Sequence, residues 1–200
     1  MSFHPLMMYD QRFQKSERKL ADEGAPFTFT PERRRTLDDI VAKYPPDRKR
    51  SAVLAALYLV QEQQGYLTAN GMRHVAPILD MTPAEVEDVA TYYVMFYREK
   101  VGKYVLQVCR TLSCALMGAE RVTEALSEKL GIKVGETDPS GMFTLLEFEC
   151  LGACDRAPVV MVNNEHWHEC LKPEDAGKLV DAIKAKGDAA FSGCHLHVEK

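Results

Sequence analysis

The residues best suited to chemistry are six cysteines at positions 109, 114, 150, 154, 170 and 194, all in the C-terminal half of a 200-residue chain. Four of them form two tight pairs, Cys109-x4-Cys114 and Cys150-x3-Cys154, separated by a long intervening stretch. Thiols gathered at one point need a positive charge to be tolerated as thiolates, so the pairs predict a metal site. Structural zinc prefers two short chelating loops, often with histidine, and no histidine lies close in sequence to either pair. A binuclear iron–sulfur cluster takes one pair per iron. The small residues Ser113, Ala115, Gly118, Gly152 and Ala153 would let backbone N–H groups approach its sulfurs. Spacing alone favours the cluster and leaves zinc and a redox disulfide open. A thioredoxin-type thiol oxidoreductase would show C-x-x-C at a helix start, a motif this chain lacks.

The pairs must be positioned by elements that bring distant segments together. Lys103–Cys109 and Phe143–Glu149 read as strands, each ending at a cysteine pair. If they are neighbours in one sheet, their ends lie side by side. Between them Ala115–Leu130 reads as one helix, with Leu116, Ala119, Val122, Leu126 and Leu130 on one side and Gly131 as its stop. Pro158–Asn163 and His166–Leu171 read as a hairpin turning at Asn163-Asn164, and Pro173 opens a last helix to about Lys186. In this reading Cys170 lies in a strand as a buried thiol.

Upstream the period is helical. Leu37, Ile40, Val41 and Tyr44 share one face. A second helix is expected over Arg48–Gln64, closed by Gly65, and a third is capped by Asn70. Thr82-Pro83-Ala84-Glu85 is a capping box with proline at the first helical position. Residues 1–34 read as an extended arm, 35–97 as a helical bundle, 98–186 as the cysteine-bearing α/β domain, and 187–200 as a tail. Met7, Met8 and Tyr9 of the arm would suit an interface.

Composition excludes several classes. Lys+Arg 25 against Asp+Glu 29 gives a net charge of −4, with no basic stripe for a nucleic acid. The longest apolar run, Ala52–Val60, falls well short of the roughly 18 residues of a membrane span. The N-terminus lacks the apolar core of a signal peptide and carries Asp10 and Glu17, which transit peptides avoid, so a cytoplasmic location is expected. Gly-rich phosphate loops of either common type are absent, so no nucleotide-binding signature is present.

Cys109-Arg-Thr-Leu-Ser-Cys114-Ala-Leu-Met-Gly118 with Cys150-Leu-Gly-Ala-Cys154-Asp-Arg-Ala-Pro158 resembles the thioredoxin-like [2Fe–2S] ferredoxin subunit of respiratory NADH:quinone oxidoreductase (complex I). Gln61-Glu-Gln-Gln-Gly65-Tyr-Leu and Val86-Glu-Asp-Val-Ala-Thr-Tyr-Tyr-Val-Met-Phe96 resemble its helical domain, so the likeness spans residues 36–185. It implies an α+β chain, an N-terminal helical bundle followed by a thioredoxin-like α/β domain, with one [2Fe–2S] cluster on Cys109, Cys114, Cys150 and Cys154.

The resemblance further implies an electron-transfer role without turnover of its own. The partners it implies are a subunit binding FMN and NADH and the further iron–sulfur subunits of the peripheral arm, with no direct membrane span and a place on the cytoplasmic side of the inner membrane. The diaphorase of an NAD-reducing hydrogenase or NAD-linked formate dehydrogenase is the alternative host, and a zinc-stapled adaptor a more distant one. Two positions depart from the family pattern: Cys170, where a non-cysteine is usual, and Lys172, where a threonine or serine cap is usual. Arg110 and Arg156 each follow a ligand and would favour cluster reduction, unless they serve in ordinary ion pairs. Pro158 stands where thioredoxin-like folds hold a cis proline, against the trans majority of X–Pro bonds. Cys194-His195-Leu-His197 is expected to be solvated tail or partner contact rather than a metal site.

Overall fold

The structure is a computed structural model that describes residues 23–191. It divides into two compact units, one up to Lys100 and one from Val101. The tail motif Cys194-His195-Leu-His197 and the arm residues Met7, Met8 and Tyr9 lie outside the described residues.

The regular elements of the first unit are all helical among the described residues. Helix α1 (Pro31–Val41) starts where the Thr30 hydroxyl accepts the Arg33 N–H and proline occupies the first turn, both standard ways to begin a helix. A 3₁₀ segment (Pro46–Ala52) then leads into α2 (Val53–Gln64), so the helix expected from Arg48 begins five residues later. Arg48 itself has non-helical angles. Gly65, at φ 86°, ends α2. Helix α3 (Ala69–Ile78) is capped by Thr68, whose side chain accepts the Gly71 N–H. Asn70, the expected cap, instead hydrogen-bonds back to Glu23 and Gly24. Helix α4 (Pro83–Tyr92) carries the capping box in full, Thr82 and Glu85 each satisfying the other's backbone.

The apolar faces of these helices meet in one core that includes Leu37, Leu57, Val60, Leu67, Val75, Leu79 and Val86. Inside it the Gln61 amide donates to the Met95 carbonyl (3.0 Å) and accepts from the Tyr97 N–H (2.7 Å). A buried amide satisfied at both ends fixes the segment leaving α4, because either group left unpaired would cost about 1–3 kcal/mol.

The second unit is a four-stranded mixed sheet in the order β2-β1-β3-β4 with helices packed on it. Its strands are β1 (Tyr104–Cys109), β2 (Phe143–Phe148), β3 (Val160–Val162) and β4 (His166–His168). β1 runs parallel to β2 and antiparallel to β3, which pairs antiparallel with β4. All six residues of β1 are buried, as befits a strand hydrogen-bonded on both edges.

The helix expected over Ala115–Leu130 is two helices, α5 (Leu112–Leu116) and α6 (Ala119–Leu130). Gly118 separates them at φ 91°, a conformation that side-chain-bearing residues rarely adopt. Leu116, placed on the buried side by its period, is therefore exposed. The β3–β4 loop is the three residues 163–165 between the paired Val162 and His166, and Asn163 and Asn164 both sit at positive φ, which asparagine tolerates better than most residues. Both asparagines are stitched to β1, Asn163 to the backbone of Lys103 and Val105 and Asn164 to the buried Gln107 side chain. Helix α7 (Pro173–Lys186) follows, and Lys172 gives it no side-chain cap. Cys170 corrects the expectation of a buried strand residue. β4 ends at His168, and Cys170 is exposed in the left-handed region at φ 50°.

Candidate metal centre

The register of the parallel pair builds the site. Cys109, the last residue of β1, stands opposite Phe148, the last of β2. Parallel strands leave a sheet on the same edge, so Cys150, two residues past Phe148, emerges beside Cys109. The Arg110 N–H extends the ladder to the Phe148 carbonyl (2.9 Å), and the Cys109 N–H donates to the Val159 carbonyl on the other side (3.1 Å). Cys114 lies in α5, and Cys154 opens a 3₁₀ turn (Cys154–Arg156) that packs against α5. The Ala157–Pro158 peptide that returns the chain to β3 is cis.

The two loops interlock through donors that cross between them. The Thr111 hydroxyl lies 3.3 Å from Cys109 Sγ and also reaches Cys150. The Leu151 N–H reaches Cys109, the Ser113 hydroxyl reaches Cys154, and the Val159 N–H reaches Cys114. Gly152 donates its N–H to Cys150 Sγ at 3.4 Å, and Cys150 Sγ lies 3.4 Å from Cys154 Sγ. All four thiols are thus drawn into one polar cradle.

Within each pair one sulfur is the better thiolate. Burial pushes the Cys109 thiol up, but donors from Thr111, Leu151 and Cys114 outweigh it and hold it below the ordinary value. Cys114 is pushed up to about 11 by burial and then by Cys109, whose hydrogen bond and charge favour the protonated form. Cys150 is lowered by the Gly152 N–H and by Cys154. Cys154 is raised by its hydrogen bond to Cys150 and by that neighbour's charge. A cation held by either pair would displace the thiol protons that remain.

The donor set fits a binuclear iron–sulfur cluster: four sulfurs, two per loop, with N–H and hydroxyl groups already aimed at them. Among the described residues, no three or more His, Cys, Asp or Glu side chains are gathered for a single metal ion. A cluster asks for less convergence, since each iron takes one pair.

The other sequence candidates fall elsewhere. Arg110 pairs with Glu149, and Arg156 lies 3.7 Å from Glu169 and 3.9 Å from Asp155. Cys170 Sγ takes no part in the contacts just described. Three residues at the site, Thr111, Leu151 and Trp167, are not singled out by sequence reasoning. Thr111 lies inside the first chelating loop, and a hydroxyl there is a visible signal. The Trp167 indole N–H donates to the Leu151 carbonyl (3.1 Å); its only advance mark is that it is the single tryptophan.

Known proteins match over most of the chain. The sequence profile of the thioredoxin-like [2Fe–2S] ferredoxin family matches residues 37–184. NADH-quinone oxidoreductase subunit 2 of Thermus thermophilus is 39% identical over 170 residues, 80% of this chain and 92% of that one. An NADH-quinone oxidoreductase subunit of Rickettsia felis is 44% identical over 156 residues, 78% of this chain and 93% of its own. Among solved structures, an NAD+-reducing [NiFe]-hydrogenase in the air-oxidised state superposes with a TM-score of 0.59 at 19% identity, over 69% of this chain and 24% of that one. That likeness shows a shared fold. With a family profile that spans both its helical and its cysteine-bearing unit, the chain belongs to the thioredoxin-like [2Fe–2S] ferredoxin family.

Proposed function

We propose that this chain is the electron-transfer subunit of an NADH:quinone oxidoreductase, with Cys109 and Cys114 on one iron of a [2Fe–2S] cluster and Cys150 and Cys154 on the other. The observation that carries the reading is the interlocked four-thiol cradle at the end of β1 and β2, in a chain whose near-full-length relatives are subunits of that enzyme. When bound, the cluster supplies a one-electron acceptor and donor. The chain's own residues hold it, aim dipoles at its sulfurs and shield the Cys109–Cys114 side from water.

The partner is a subunit carrying FMN and NADH, alongside the other iron–sulfur subunits of the peripheral arm on the cytoplasmic face of the membrane. Leu112, Leu116 and Met117 support docking there. They are 75%, 78% and 60% exposed on and just after α5, the helix that carries Cys114. An exposed apolar group beside an electron-transfer site is what an interface covers. Residues 35–97 form the helical domain in this reading and 98–186 the cluster domain. Among the described residues no helix is long and apolar enough to cross a membrane.

The test is anaerobic purification of the full chain. The expected product is red-brown, with iron and sulfide near two per chain, and it co-purifies with quinone-dependent NADH oxidation. A colourless protein with one zinc would overturn the reading. Activity with hydrogen or formate in place of quinone would move it to a diaphorase.

A further inference from the structure

The peptide group between Leu151 and Gly152 is gripped at both ends. Its carbonyl accepts the Trp167 indole N–H at 3.1 Å, and its N–H donates to Cys150 Sγ at 3.4 Å. The bond is trans, since the cis peptide among the described residues is Ala157–Pro158. In a planar trans peptide the C=O and N–H point in opposite directions, so one group joins two partners in a line: indole, peptide, sulfur. Gly152 sits at φ 83° with open space around a would-be Cβ. The backbone angle, and not crowding, is what calls for glycine there. Trp167 is held in turn by β4, where it stands opposite Met161.

We propose that Trp167 is a positioning residue for the cluster: through the 151–152 peptide it sets the strength of the N–H bond to Cys150 and so raises the reduction potential. That role rests on Cys150 being a cluster ligand. A donor on the carbonyl draws electron density toward oxygen and makes the N–H of the same group a better donor, the mutual polarisation of hydrogen bonds in a chain. An N–H directed at a ligand sulfur stabilises the more negative, reduced state. The indole also fixes which way the peptide faces. Without it, the plane is free to rotate and the N–H to leave the sulfur. Trp167 is 39% exposed, so water replaces part of the lost bond and the effect is several-fold rather than orders of magnitude.

The experiment is a spectroscopically monitored redox titration of the cluster-loaded full chain and its Trp167→Phe variant, with iron and sulfide counted in each. Phenylalanine keeps the ring and removes the N–H. The expected result is unchanged cluster content and a reduction equilibrium about threefold less favourable, about 28 mV lower at 59 mV per tenfold for one electron. Because the chain has one tryptophan, biosynthetic replacement of tryptophan by benzothienylalanine removes the N–H at nearly constant shape. It is expected to give the same shift and settles the matter if Trp167→Phe fails to load. In the unmodified chain, the ultraviolet resonance Raman band that reports indole hydrogen bonding is expected to move between the oxidised and reduced states, which a purely structural anchor would not require. A red-brown variant with an unmoved potential overturns the role of Trp167 and leaves the ligands standing. An unmodified chain that takes up zinc and stays colourless overturns the ligands and the inference together.

Discussion

Cys109 and Cys114 are each 2% exposed and belong to the apolar core of the second unit, whereas Cys150 and Cys154 are exposed on a loop. The first pair is held by a central strand and a helix, the second by polar contacts that include Gly152 and Trp167 at its turn and the Thr111 and Ser113 hydroxyls from the facing loop. Yet both pairs show the same chemical split, one sulfur inclined to lose its proton and one to keep it. The shared chemistry arises from thiols close to one another; the different burial arises from the elements that carry them. One side of the site is rigid by packing, and the other depends on a few polar contacts.

The largest test of this contrast is removal of a thiol. Alanine at Cys109, Cys114, Cys150 or Cys154 is expected to abolish stable cluster loading, measured as iron and sulfide per chain and as visible absorption. Loading that survives in Cys150→Ala would break the proposed assignment on the loop side.

Acid should act on the outer edge of the sheet. Burial and then repulsion from His166 lower His168 to about 4, below its unfolded value near 6.5. Between those two pH values the unfolded chain binds a proton that the native chain refuses, so stability falls as pH drops from about 6.5 to 4. The expected loss is about 2–3 kcal/mol by pH 4, and His168→Gln is expected to flatten that segment of the curve. Hydrogen exchange across the window should show β4 and residues 150–154 losing protection before β1.

A smaller effect separates the pairs without any cluster. In the metal-free chain, alanine at Cys109 or Cys114 is expected to cost about 1 kcal/mol of unfolding free energy, since a buried thiol packs as a small apolar group. Alanine at Cys150 or Cys154 is expected to stay within about 0.5 kcal/mol. Denaturant midpoints measure both, and equal costs would erase the distinction. The smallest shift expected is from Arg156→Gln. Its guanidinium, half exposed and near two carboxylates, should favour cluster reduction by only about twofold because solvent and salt screen it.

Much of this was legible in the residue pattern. Strand runs that ended on cysteines located β1 and β2 and the sheet end where the thiols gather, Asn163-Asn164 located the hairpin, and Thr82 with Glu85 located a helix start, because each signal is local. Three features escaped for physical reasons. A single glycine in a helical stretch costs only about 1 kcal/mol, so the apolar period ran across Gly118 and hid the break that gives α5 its own short turn. The strand expected to reach Cys170 stops at His168, and no nearby residue marks where pairing ends. Trp167 meets Leu151 across sixteen positions of chain, and contacts of that kind are set by the sheet and not by spacing.

The pairing of β1 with β2 also governs timing. Cys109 and Cys150 become neighbours only when two parallel strands, joined through α5 and α6, have found their register. Such non-local pairing comes late, after the loop-closure entropy has been overcome. Before then a nascent chain offers a passing metal two thiols at a time, too few to retain it firmly. The sheet thus acts as a checkpoint: the site exists for its cofactor only once the domain around it has been built.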